Sequence, residues 1–85
     1  MTHTLTALER LRVAFRTALG LPPDQNVDQL EYRGIEAWDS LAHMSLVAAI
    51  EDEFDVMIDT DEVIDLSSFA QAAQMLRNHD VDISV

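Results

Sequence analysis

The stretch "EAWDSLAHMSLVAAIEDEF", residues 36–54, passes from a polar loop into an apolar-periodic helix, with Ser40 at the junction. Asp39 is a favourable N-cap, so Ser40 becomes the first helical residue and the helix runs on to Phe54. Helical residues advance by roughly 100° each, which sorts the side chains into two faces. Leu46, His43, Ile50, Phe54 and Val47 share one arc that must meet a core, and the polar His43 lies in its middle. Glu51, Met44, Ala48, Leu41 and Asp52 form a second arc beside Ser40, turned away from that core. An apolar centre with an anionic rim describes a small docking surface. Ordinary solvated surface is the plainer reading.

Outward from this helix the chain reads as all-α. Leu8, Leu11, Phe15 and Leu19 step by three, four and four, one apolar stripe of a first helix at about residues 4–19. Thr6-Ala7-Leu8-Glu9 fits a capping box, although Thr4 or Thr2 serves equally as the cap. Gly20 suits the left-handed end of that helix, and Pro22-Pro23 cannot continue it. From there to Asp39 no apolar period survives. The segment is a long loop, with Leu30, Tyr32, Ile35 and Trp38 expected to pin it to the core, and loops of this length usually have a job. A short helix at about residues 60–65 begins near Asp59-Thr60-Asp61-Glu62, whose acids suit a helix N-terminus. Ser67 or Ser68 then caps a last helix, with Phe69, Ala72, Ala73 and Leu76 on one face, that ends near Arg77-Asn78. Residues 79–85 are expected to fray.

Composition bounds what such a chain can do. Eighty-five residues with 48% hydrophobic content suit a single domain, residues 1–85, with a modest core. No apolar run approaches the roughly 18 residues of a membrane span and Met1–Thr6 lacks the features of a signal peptide, so a cytoplasmic location is expected. The absence of cysteine excludes disulfides, thiolate nucleophiles and zinc–thiolate sites. Sixteen acids against five arginines give a formal net charge of −11, which argues against nucleic acid and anionic membranes as partners. Arg10, Arg12 and Arg16 cluster near the start, whereas no Arg or Lys occurs from Gly34 through Leu76. That half presents an anionic surface, either merely solvated or fitted to a basic protein.

The chemistry available to Ser40 is narrow. A helix-start serine is ordinarily a cap or an N1 residue, but the free N–H groups and dipole of a helix N-terminus would also stabilise a phosphate ester there. A catalytic serine fits poorly, because there is no G-x-S-x-G elbow and Asp39 and His43 form no obvious relay with it. A calcium loop starting at Asp59 fits poorly as well, with Val63, Ile64 and Ala70 where a ligand, the turn glycine and the terminal glutamate belong.

Asp39-Ser40-Leu41, followed by an apolar–acidic helix ending Ile50-Glu51-Asp52-Glu53-Phe54-Asp55, resembles the acyl carrier protein family. The likeness covers nearly the whole chain: first helix, Leu-Gly-Leu-Pro-Pro break, long loop, serine-led second helix, short acidic third helix and amphipathic fourth. It implies an up-down four-helix bundle of three main helices and one short one. It also implies a 4′-phosphopantetheine arm attached at Ser40, next to Asp39, by a transferase that uses coenzyme A. On this resemblance the missing cysteine is no loss, since the reactive sulfur arrives on the cofactor. Leu41, Met44 and Ala48 with the acids Glu51, Asp52, Asp55, Asp61 and Glu62 would meet basic docking patches on three kinds of partner. These are the phosphopantetheinyl transferase, an acyl- or aminoacyl-loading ligase and downstream acyl-using enzymes, all served by a monomeric carrier. His43, Leu46, Val47, Ile50 and Val63 would border the cavity in which some carriers shelter an acyl chain.

Two departures bear on the pathway. Fatty acid synthase carriers usually bring extra acids in the first turns after the serine, where this sequence has Ala42, His43 and Ser45, and Trp38 before Asp39 is similar to stand-alone carriers of polyketide-like, modified-lipid and aminoacyl systems. A dedicated carrier with a small or polar cargo is the expectation. The alternative from another class is an acidic helical interaction module without a prosthetic group.

Overall fold

The computed structural model describes residues 6–81 and 83. Among them are four helices and no strand: α1 (Ala7–Leu19), α2 (Ser40–Phe54), α3 (Thr60–Asp65) and α4 (Phe69–Asn78). The expected helical bundle, three main helices and a short one, is what forms. α1 begins at Ala7 rather than near residue 4, because Thr6 is extended and closes a reciprocal capping box. Its Oγ1 accepts from Glu9 N–H at 3.1 Å, and Glu9 Oε1 accepts from Thr6 N–H at 3.0 Å. Thr2 and Thr4 lie outside the described residues. At the other end Gly20 sits at φ +67°, where any Cβ would strain the backbone.

The apolar stripe of α1 supplies the centre of the core. Phe15 is fully buried and meets Trp38 edge-on at 5.4 Å and Phe69 at 5.0 Å, joining α1 to the long loop and to α4. Each such ring contributes about 1.5–3 kcal/mol of burial. Of the four expected loop anchors, Trp38 is fully buried, while Leu30, Tyr32 and Ile35 pack partly exposed against the core. Val27 is a fifth, fully buried and lacking any periodic context that would mark it in the sequence.

The N-terminal arginines do not form a basic patch. Arg12 grips Asp28 with two bonds, Nε to Oδ1 at 2.9 Å and Nη2 to Oδ2 at 2.8 Å, while Arg16 donates to the Gln25 carbonyl at 2.8 Å. Arg10 pairs with Glu53 at 2.7 Å and lies over the Phe54 ring at 4.8 Å, fastening α1 to the end of α2. The loop is closed from its other side by an antiparallel bridge between Glu31 and Ser68. Tyr32 N–H donates to the Ser67 carbonyl at 2.8 Å and Phe69 N–H to the Leu30 carbonyl at 3.1 Å. A loop held this way is a fixed platform in front of α2.

Ser68, not Ser67, caps α4, with its Oγ accepting from Gln71 N–H at 3.1 Å. Fraying is expected from residue 79 onward, yet Val81 and Ile83 pack on the core and only Asp80 of the described residues there is exposed. The backbone N–H of His79 caps α4, Val81 rests on the core and Ile83 is buried in it. Arg77 holds the Ile83 carbonyl through two bonds at 3.3 Å. Ile83 stands beyond the last helical period, so periodicity alone could not assign it to the core. Residues 82, 84 and 85 lie outside the described residues.

Candidate functional site

Ser40 is the first residue of α2 and is exposed. Asp39 is extended and caps the helix, its Oδ1 accepting from Ala42 N–H at 2.9 Å. Its Oδ1 is therefore engaged by the backbone, and among the described residues no hydrogen bond joins Asp39 to the serine hydroxyl. Ser40 Oγ shares a hydrogen bond of 3.0 Å with the Tyr32 hydroxyl, a contact eight residues apart in sequence that no local pattern announces. The hydroxyl is held but accessible, at a helix start that favours an added anionic ester.

Beneath it lies a small aromatic cluster. Tyr32 approaches His43 at 5.0 Å and Trp38 at 6.1 Å between ring centres, and Trp38 and His43 lie nearly parallel at 6.1 Å. His43 points inward from α2, as its helical position requires, and both ring nitrogens are engaged. Trp38 Nε1–H donates to His43 Nδ1 at 3.0 Å, and His43 Nε2 lies 2.9 Å from the Val63 carbonyl. An indole nitrogen only donates, so Nδ1 accepts and Nε2–H donates to the Val63 carbonyl. The polar residue in the core-facing arc is thus a tie between the long loop, α2 and α3.

Of the other residues expected to border an acyl cavity, Leu46, Val47 and Ile50 are buried in the core and Val63 is partly buried against it. A cavity of about 110 Å³ opens elsewhere, between α3 and α4, lined by Glu62, Asp65, Leu66, Gln71, Met75 and their neighbours, with no residue of α2 in its wall.

On the outer face, Leu41 is 80% exposed and Met44 54%, with Ala48, Asp52, Asp55 and Asp61 exposed as well. Glu51 and Glu62 differ from this rim. Glu51 Oε2 accepts from Ile58 N–H at 2.9 Å and fixes the turn after α2. Glu62 accepts from Asp59 N–H at 3.2 Å in the capping box of α3 and meets His79 Nε2 at 2.7 Å. Met57 and Ile64, which the helical wheel of α2 could not include, are 83% and 73% exposed and stand among Asp55, Asp59, Asp61 and Asp65 in sequence. They repeat the apolar-within-acidic composition of the Leu41–Met44 face.

The long-range ion pair of the loop shows the usual electrostatics of a forked contact. The hydrogen bonds from Arg12 hold the Asp28 carboxyl below its ordinary range; partial burial opposes this, and the charges of Arg12 and Arg16 add to it.

The family model described as phosphopantetheine attachment site matches residues 9–76, a span that runs from α1 into α4 and includes Ser40 and the whole cluster beneath it. The comparison with curated proteins returns no relative. No helix among the described residues is long and apolar enough to cross a membrane.

Proposed function

This chain belongs to the phosphopantetheine attachment-site family, and from that premise we propose that Ser40 bears the arm and that the protein serves a dedicated pathway with small or polar cargo. Members of the family carry a covalent 4′-phosphopantetheine, are not themselves enzymes, and meet phosphopantetheinyl transferases and acyl-using enzymes. When bound, the group supplies a thiol that carries an acyl unit as a thioester. The observation that carries the attachment site is Ser40 itself: exposed, at the first position of α2, and, among the described residues, with no carboxylate or imidazole hydrogen-bonded to its hydroxyl. In the transfer, Ser40 Oγ would bond to phosphorus as the nucleotide half of coenzyme A departs, the serine proton passing to a base of the transferase.

The small-cargo reading rests on His43. A long alkyl chain entering between α2 and α3 would displace the imidazole from Trp38 and Val63, leaving the indole N–H of a fully buried side chain unpaired. Such an orphan costs about 1–3 kcal/mol. A short hydroxyacyl or aminoacyl group need not enter. Leu41 and Met44 with Asp52, Asp55 and Asp61 form the docking face, which suits brief contact with basic enzymes because exposed charges raise association rates more than affinity.

Intact mass after incubation with coenzyme A and a broad-specificity transferase tests the carrier reading: one phosphopantetheine per chain is expected. No gain would favour an acidic interaction module. For the cargo, the loaded protein is compared with a short hydroxyacyl and a long saturated group; large amide shifts along Leu46, Ile50 and Val63 with the long chain alone would contradict the small-cargo reading.

A further inference from the structure

The segment before Ser40 has a feature that attachment alone does not use. Residues Arg33, Gly34, Ile35, Glu36, Trp38 and Asp39 line an open cleft of about 350 Å³ that ends at the residue preceding Ser40. The cleft is shaped by a tight turn: Gly34 N–H donates to the Glu31 carbonyl at 2.8 Å, and a Cβ on Gly34 would meet that same oxygen at 3.0 Å. Arg33 N–H donates to the Trp38 carbonyl at 3.1 Å and Trp38 N–H to the Ile35 carbonyl at 3.2 Å, so the wall is internally braced.

Arg33 stands out in it. It adopts φ +63°, a left-handed conformation unfavourable for arginine. Among the described residues its guanidinium has no hydrogen bond or ion pair, whereas Arg10, Arg12, Arg16 and Arg77 all have partners. It is also the one Arg or Lys between Thr17 and Leu76, in a chain of net charge −11.

Resting on the assignment of Ser40 as the attachment residue, we propose that Tyr32 and Arg33 form an intramolecular seat for the phosphodiester of the arm, which draws the root of the arm over the 33–39 cleft. Esterification removes the Ser40 proton, so Tyr32, 3.0 Å from that oxygen, becomes the donor of the pair and can serve the ester or an adjoining anionic oxygen. The surroundings make a donor necessary. Glu36 and Asp39 also face the cleft, and their carboxylates repel a phosphodiester; Asp39 Oδ1 accepts from the Ala42 N–H, and Arg33 is the cation that offsets the repulsion. The seat would keep the arm root on the loop side of α2 and leave Leu41 and Met44 clear for partners.

The test compares apo and modified protein by amide and phosphorus resonances for the wild type, Tyr32→Phe and Arg33→Asn. Phenylalanine keeps the ring contacts with Trp38 and His43, and asparagine tolerates the left-handed conformation, so both variants should fold. In the wild type, modification should shift the amides of Arg33–Asp39 as well as those at the start of α2. Each variant should lose about half or more of the 33–39 shifts and move the phosphorus resonance. Modification by mass with shifts confined to residues 40–42, or with 33–39 shifts unchanged in both variants, would overturn the seat and leave the carrier reading intact. A wild-type chain that gains no mass would overturn both.

Discussion

The indole N–H of Trp38 donates to Nδ1 of His43 at 3.0 Å, and the opposite edge of that imidazole holds the Val63 carbonyl. One side chain thereby fixes the loop, the serine-bearing helix and the short acidic helix with respect to each other. His43→Leu keeps the volume roughly but leaves the Trp38 N–H without a partner inside the fold. A loss of about 1–3 kcal/mol is expected by urea denaturation. A change under about 0.5 kcal/mol would mean that the tie does not bear on stability.

The Arg12–Asp28 pair predicts a pH dependence with a definite sign. Asp28 has a lowered folded-state pKa, chiefly through its bonds from Arg12, so its contribution is complete above the unfolded value of about 3.9 and disappears as pH falls through the folded value. At neutral pH, Asp28→Asn should destabilise by about 0.5–1 kcal/mol, the modest range suited to a pair about one-third exposed. As pH falls through the lowered folded value the two proteins should converge. A constant difference between pH 7 and pH 2 would contradict the pair's role.

The helical outline was legible in the sequence because it rests on local signals. Asp39 before Ser40, Gly20 before Pro22-Pro23, and the Leu8–Leu19 stripe each act within a turn or two, and each has its place in the fold. What escaped was long-range. Nothing near Val27 or Ile83 marks either as core, and the pairing of Arg12 with Asp28 or Tyr32 with Ser40 depends on how the loop folds back. The inward direction of His43 followed from helical geometry, but its partners came from two other elements. Glu51 and Glu62 looked like their acidic neighbours, and only the backbone N–H groups of Ile58 and Asp59 distinguish them.

The exposed face beside Ser40 should govern partner encounter and not folding. Leu41→Ala and Met44→Ala remove side chains that are mostly in water, so stability should change by less than about 0.5 kcal/mol. Transfer of phosphopantetheine should nevertheless slow. Asp52→Lys with Asp55→Lys should reduce the association rate at low salt by about tenfold or more, and the difference should shrink as ionic strength rises. Transfer rates unaffected by all four substitutions would put the docking surface elsewhere, with the exposed Met57 and Ile64 as the next residues to test.

The central claim is that one hydroxyl, that of Ser40, receives the prosthetic group. Tandem mass spectrometry of the chain after incubation with coenzyme A and transferase addresses it directly, with Ser40→Ala treated in parallel. The wild type should yield a single adduct on the peptide containing Ser40, and Ser40→Ala should yield none while retaining its helical circular dichroism, because an exposed N1 side chain contributes little packing. An adduct on Ser45, Ser67 or Ser68, or one that persists in Ser40→Ala, would contradict the account.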